Sequence, residues 1–170
     1  MFETIKYTYE SCVATISLNR PESYNAFNRK MRQEFLTAIK KAKNDENVRV
    51  IVVTGEGKAF CSGQDLKDVE ENDFSFEQVV KEEYNPIIKR LHTTPKPIIC
   101  KLNGVAAGAG CSIALACDLI VMSEKASLIE VFINIGLVLD SGSSYFLPRL
   151  VGSTKAFELA SMGSKIGPAE

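Results

Sequence analysis

The stretch Lys96–Ser123, "KPIICKLNGVAAGAGCSIALACDLIVMS", constrains the fold more than any other part of the chain. "KPIICKLNG" reads as a strand, "GAGCSIALAC" as a helix of small side chains, and "DLIVMS" as another strand. Such small residues let another backbone or a ligand come very close. Alternation of strand and helix recurs along the chain and implies an α/β architecture. "VATISLNRP" (Val13–Pro21) alternates apolar with polar residues and stops at proline, as a half-buried strand does. "VRVIVVTG" (Val48–Gly55) is a continuous β-branched run ended by glycine, which predicts a strand buried on both faces. Between these two runs, Asn28 is a good N-cap for a helix with Met31, Phe35 and Ile39 on its apolar stripe. Leu36 and Ala42 widen that stripe, and polar "KNDENV" ends it. Ser75 and Gln78 form a capping-box pair opening a second long helix, with a kink predicted at Pro86 and an end at Pro95 and Pro97. From Ser141 two further helices follow, divided near Pro148–Gly152, and "KIGPAE" reads as the start of another element. With no internal repeat, low-complexity segment or linker, residues 1–170 form a single expected domain.

Twenty basic against twenty-one acidic side chains leave a formal charge of −1. That balance argues against a nucleic-acid or anionic-membrane partner, though a few lysines would suffice for a small anionic ligand. The five cysteines include no C-x-x-C pair and are odd in number. A disulfide framework or zinc site is therefore disfavoured, and all five are expected as small buried hydrophobes in a reducing compartment. "MFETIKYTYE" lacks the basic and apolar regions of a signal peptide. The longest low-polarity stretch, Gly104–Cys117, is shorter than the roughly 20 residues of a membrane span, so a cytoplasmic location is expected.

Several motifs fail on inspection. "TGEGKAF" has Val52 where the first phosphate-loop glycine belongs and Ala59 where Ser or Thr should follow the lysine. "GAGCSI" has Ile113 in place of the third glycine of a dinucleotide fingerprint. The single histidine, His92, falls in the last turn of a predicted helix, where a structural role outweighs a catalytic triad. No metal-ligand cluster is present in the sequence, and no metal is expected.

Three segments remain: Gly57–Leu66 ("GKAFCSGQDL"), Asn103–Leu119 ("NGVAAGAGCSIALACDL") and Asn134–Gly152 ("NIGLVLDSGSSYFLPRLVG"). In the first two, a strand runs into a small-residue turn that opens a helix, where backbone N–H groups lack intrahelical partners. Two such turns side by side would aim two donors at one oxygen, as in an oxyanion hole. Tight helix–sheet packing explains the same glycines equally well. Asp140 likewise has two readings, an N-cap of the next helix or a carboxylate held in a dry pocket to move a proton.

"NRPESYNAFN", "GKAFCSGQDL", "NGVAAGAGCSIALACDLIV" and "IGL…LPRLVG" together resemble the crotonase, or enoyl-CoA hydratase/isomerase, superfamily across nearly the whole chain. The resemblance implies a crotonase-like spiral of β-β-α units acting on acyl-coenzyme A thioesters, with coenzyme A part of the substrate and no separate cofactor. It implies that the Gln64 and Ala109 N–H groups hold the thioester oxygen as an enolate develops. Ala26, Lys58, Ala59, Ser62, Asp65 and Leu66 match positions that line the coenzyme A groove, with Ser112 and Phe132 near the acyl chain. For Lys58 a solvated loop position, and for Asp65 a helix cap, are the bland alternatives. Family members continue beyond the point where this chain stops, with C-terminal helices that roof the pocket and build trimers. A homotrimer or hexamer is implied, but this chain would have to form it without those helices, and a non-catalytic binding or assembly subunit is the rival reading.

Hydratases of the family use two glutamates, which would fall at Ser112 and Phe132, so hydration by that route is not expected here. Glu130, two residues from the second site, is expected at the surface. Asp140 falls where the 1,2-epoxyphenylacetyl-CoA isomerase branch carries its aspartate, as does the 4-chlorobenzoyl-CoA dehalogenase branch. The latter also has a tryptophan before the "IG" pair, whereas this chain has Val131, Phe132 and Ile133 and no tryptophan. The resemblance therefore implies isomerisation, in phenylacetate or fatty-acid-type metabolism, with hydrolysis or dehalogenation through the same aspartate as the rival chemistry. Phe132, Leu137, Val138 and Leu139 are expected to desolvate Asp140 and raise its pKa toward that of a useful base.

Overall fold

The computed structural model describes residues 2–68 and 75–170, and in those residues the strands are shared between two sheets. One contains β1 (Ile5–Glu10), β2 (Val13–Leu18), β3 (Val50–Gly55), β5 (Ile98–Leu102) and β7 (Leu119–Met122), in spatial order β1-β2-β3-β5-β7. The other contains β4 (Ala59–Cys61), β6 (Val105–Ala107), β8 (Ser127–Ile129) and β9 (Lys165–Ile166), in order β4-β6-β8-β9. β1 pairs antiparallel with β2, and β9 with β8; the other pairings are parallel. From β3 onward each pair of successive strands places one member in each sheet before the chain crosses over, which makes the α/β spiral of β-β-α units expected above.

The periodic segments fold as their patterns require. α1 (Arg29–Asn44) is capped by Asn28, whose Oδ1 accepts the Met31 N–H at 2.9 Å, and Met31, Phe35, Ala38, Ile39 and Ala42 are buried. β3 alternates: Ile51 and Val53 are fully buried, whereas Val50, Val52 and Thr54 are half covered. A β-branched run suits strand geometry on either face, so composition alone did not reveal the partial cover.

Ser75 Oγ accepts the Gln78 N–H at 3.2 Å and opens α2 (Phe76–Val79). The expected kink at Pro86 is instead a π-turn, Val80–Tyr84, placed just before α3 (Asn85–His92). Widening that turn accommodates the missing proline N–H and the bulk of its ring. His92 ends α3 and packs edge-on to Phe146, ring centroids 5.5 Å apart, in the structural role foreseen. α4 (Ala109–Leu115) is the small-residue helix; α5 (Ser143–Val151) and α6 (Ser153–Met162) follow, divided at Gly152. "KIGPAE" supplies β9, a short strand.

Two of the five cysteines depart from the buried placement expected, Cys117 being half-buried. Cys12 is exposed, because Ser11 and Cys12, both at positive φ, form the tight turn between β1 and β2. β1 was not anticipated, and β4, β6 and β8 span three residues each, too few to show a period. Among the described residues no helix is long and apolar enough to cross a membrane.

Candidate active site

The two strand-to-helix turns meet. After β4, Gln64 pairs with Phe27 in an isolated parallel bridge: the Phe27 N–H donates to Gly63 O at 2.8 Å, and the Asp65 N–H to Phe27 O at 3.1 Å. Peptide groups along an extended chain face alternate edges, so the intervening Gln64 N–H points away from Phe27. After β6, Gly108 takes φ +51°, a conformation that side-chain-bearing residues rarely adopt, and starts α4 with the Ala109 N–H unsatisfied by the helix. Gly63, at φ +102°, brings the turns into contact: a β-carbon there would lie 2.9 Å from Ala107 O and 3.7 Å from Ala109 N. Among the described residues, neither the Gln64 nor the Ala109 N–H has an acceptor. Close packing, one of the two readings the sequence left open, is present, and both N–H groups are left available for the other.

Gly63, Gln64, Gly108 and Ala109 line one cavity of about 200 Å³, whose walls are mostly apolar. Leu66, Phe76, Val79, Val80, Phe132 and Leu137 contribute much of that surface. Asp140 also lines it, and is the one acidic residue among the described lining residues. Burial raises the Asp140 pKa from its ordinary value. The neighbouring Ser141 side chain opposes that shift. The alternative role as N-cap is overturned: α5 begins after Gly142 and no side chain caps it. Of the four residues expected to desolvate Asp140, Phe132 and Leu137 line the cavity. Val138 is 84% exposed, and Leu139 packs instead against the cluster around Leu147 and Leu159. Both depart from expectation because the segment after the 3-10 turn Val131–Ile135 is irregular, so sequence neighbours face different ways.

Gln64 is held by two residues that the sequence reading did not single out. Its Oε1 accepts from the Tyr84 hydroxyl at 2.6 Å and from Arg32 Nη1 at 2.8 Å. Arg32 is 2% exposed; it also donates to Phe27 O at 3.0 Å and pairs with Glu83 and Asp68. Tyr84 completes the cavity wall. Arg32 sits beside Met31 at the edge of the apolar stripe, and nothing in helical periodicity distinguishes such an arginine from a solvated one.

The remaining candidates divide by position. Ser62 and Leu66 line the cavity and are exposed at its rim. Ser112 does not line it: the side chain is fully buried, with Oγ 2.8 Å from Ser143 Oγ and 3.2 Å from Gly108 O. Ala26 and Ala59 are buried backbone anchors outside the cavity, accepting from Arg20 Nη1 at 2.6 Å and from Asn25 Nδ2 at 2.9 Å. Lys58 is exposed on the adjoining loop. Asp65 is ion-paired with Arg20 at 2.9 Å and accepts the Lys67 N–H at 3.3 Å, a capping interaction.

The expectation for Glu130 is corrected. It is 2% exposed, its Oε1 lies 2.9 Å from Ser143 Oγ and 3.5 Å from Cys111 Sγ, and burial raises its pKa. It follows β8 and enters the 3-10 turn at once, so strand alternation does not predict its direction.

Fold and site thus define a class: a two-sheet α/β spiral in which two strand-to-helix turns and one desolvated carboxylate line a single apolar cavity. The sequence profile of the enoyl-CoA hydratase/isomerase family matches residues 8–170, and the chain belongs to that family. It is 41% identical over 169 residues to a probable enoyl-CoA hydratase of Rhodobacter capsulatus, spanning 99% of this chain and 65% of the relative. It is 38% identical to the 1,2-epoxyphenylacetyl-CoA isomerase of Escherichia coli, across 98% of this chain and 65% of that one. Among solved structures, an enoyl-CoA hydratase from Bacillus anthracis superposes with a TM-score of 0.92 at 32% identity, covering 98% of this chain and 66% of that chain. The chain therefore spans about 65% of the length of the two curated relatives described.

Proposed function

We propose that this chain carries the active site of an acyl-CoA isomerase in which Asp140 is the single acid/base. The observation that carries this reading is the sharing of one apolar cavity by Asp140, Gln64 and Ala109. The thioester carbonyl oxygen is held by the Gln64 and Ala109 N–H groups, each donor lowering the barrier to enolate formation by ~3 kcal/mol. Asp140 takes a proton activated by the thioester, and its desolvated surroundings make it a stronger base than an exposed carboxylate. The same acid then returns the proton at a carbon further along, completing a 1,3-shift. Ser112 and Phe132 stand where a two-glutamate hydratase would need carboxylates, which favours isomerisation over hydration. A 3-enoyl-CoA or a ring epoxide of phenylacetyl-CoA fits this chemistry. Lys58, exposed just before β4, is proposed to meet a coenzyme A phosphate.

The test follows solvent deuterium into acyl-CoA thioesters for the parent and Asp140→Asn. Exchange abolished by the substitution, with coenzyme A affinity retained, supports the reading. Unchanged exchange removes Asp140 from the mechanism, while a covalent adduct or solvent oxygen in the product reassigns it as a nucleophile.

A further inference from the structure

Behind the cavity wall, Glu130 connects to the site through a chain of hydroxyl groups. Its Oε1 is 2.9 Å from Ser143 Oγ, which is 2.8 Å from Ser112 Oγ. Ser112 Oγ in turn reaches Gly108 O at 3.2 Å and Asp140 O at 3.4 Å. The Ser143 N–H also donates to Asp140 O at 2.9 Å. Gly108 O belongs to the same peptide unit as the Ala109 N–H, and Asp140 O to the peptide that carries the proposed base. The chain of hydroxyls therefore ends on the two groups whose separation sets the catalytic geometry.

Counting protons decides its direction, because each hydroxyl has one to give. An ionised Glu130 would draw the Ser143 proton to itself and the Ser112 proton to Ser143, leaving nothing from Ser112 for either carbonyl. Glu130 Oε2 is buried without a partner, so a share of the negative charge would lie there uncompensated. With the proton on Oε1, the O–H donates to Ser143, Ser143 to Ser112, and Ser112 to a carbonyl; every proton is used and only an uncharged carbonyl oxygen is left over. The titratable groups facing Glu130 are Cys111, whose weakly donating thiol is 3.5 Å away, and Asp140, whose negative charge disfavours a second one.

We infer that Glu130 is a positioning residue, an un-ionised carboxyl group that heads the Ser143–Ser112 chain and locks the Asp140 loop onto the Gly108 turn. The inference rests on the isomerase reading, and its test separates the two. Solvent-deuterium exchange into acyl-CoA thioesters is measured for the parent, Glu130→Leu, Glu130→Gln, Ser143→Ala and Asp140→Asn. Glu130→Leu is expected to lower kcat by about 10²-fold with KM near the parent value, the scale of a small misplacement of reacting groups. Glu130→Gln, which keeps an uncharged donor, restores most of kcat. In the Asp140→Asn background, infrared spectra at neutral pH show the carbonyl stretch of an un-ionised carboxylic acid that vanishes with Glu130→Gln. Parent-like exchange in Glu130→Leu beside a silent Asp140→Asn overturns the inference and leaves the isomerase reading standing. Parent-like exchange in Asp140→Asn overturns the reading itself. Should Glu130→Leu lose its fold by circular dichroism, Ser143→Ala and the infrared band decide: undiminished kcat or a missing band overturns the inference.

Discussion

Tyr84 donates its hydroxyl hydrogen to Gln64 Oε1 at 2.6 Å, tying the π-turn in the second long helix to the loop that carries one proposed donor. Removing that bond leaves Arg32 as the remaining side-chain donor described at Gln64 Oε1. Tyr84→Phe is expected to lower kcat about fivefold, the equivalent of one ordinary hydrogen bond of about 1 kcal/mol, with KM almost unchanged. Steady-state kinetics on a 3-enoyl-CoA reads both quantities; a selective rise in KM would contradict the assignment.

Arg32 serves stability more than chemistry. It is buried and satisfies Gln64 Oε1 and Phe27 O while pairing with Glu83 and Asp68. Truncation to Leu strips those acceptors of a charged donor and should cost ~3 kcal/mol. Urea denaturation of the parent and Arg32→Leu measures the difference, and a loss below ~1 kcal/mol would show that water replaces the guanidinium.

Gly63 admits no side chain. A β-carbon would lie 2.9 Å from Ala107 O, at φ +102°. Gly63→Ala should push the two turns apart and spoil the alignment of the Gln64 donor, lowering kcat by about 10²-fold. Comparing kcat with the thermal midpoint separates this local effect from a general loss of fold.

As the proposed base, Asp140 places activity and stability in opposition. Its folded-state pKa is raised, so the unfolded chain holds its proton less tightly than the native state. Ionisation therefore opposes folding once the pH exceeds the unfolded-state value, and the penalty disappears in acid. Asp140→Asn should raise the thermal midpoint at neutral pH but not in acid, while exchange is lost. The same shift moves the acid limb of the parent pH–rate profile to higher pH than an exposed aspartate would give, as the base form accumulates only beyond it. Calorimetry at two pH values and a rate profile check both statements.

The segments legible beforehand were those whose periodicity had room to repeat. α1 was readable from Asn28 and its apolar stripe, and β2, β5 and β7 from their apolar runs. The pairing of Gln64 with Ala109 was implied by a resemblance, and only the contact of Gly63 with Ala107 and Ala109 shows the turns meeting. Arg32, Tyr84 and Glu130 gave no usable signal. An arginine at a stripe edge, a tyrosine before a proline and a glutamate after a short strand look the same in sequence whether buried or solvated.

What the chain determined by itself was local: caps, apolar stripes, turn glycines and the absence of carboxylates at Ser112 and Phe132. Those properties depend on neighbours a few residues away, so the sequence displays them. Tertiary structure decided which way the irregular segments face: Asp140 onto the cavity, Val138 into solvent, Glu130 into the interior. Outside regular helix and strand no fixed period relates sequence position to direction. The desolvation that raises the pKa of both acids comes from residues far apart in the chain that meet only on folding.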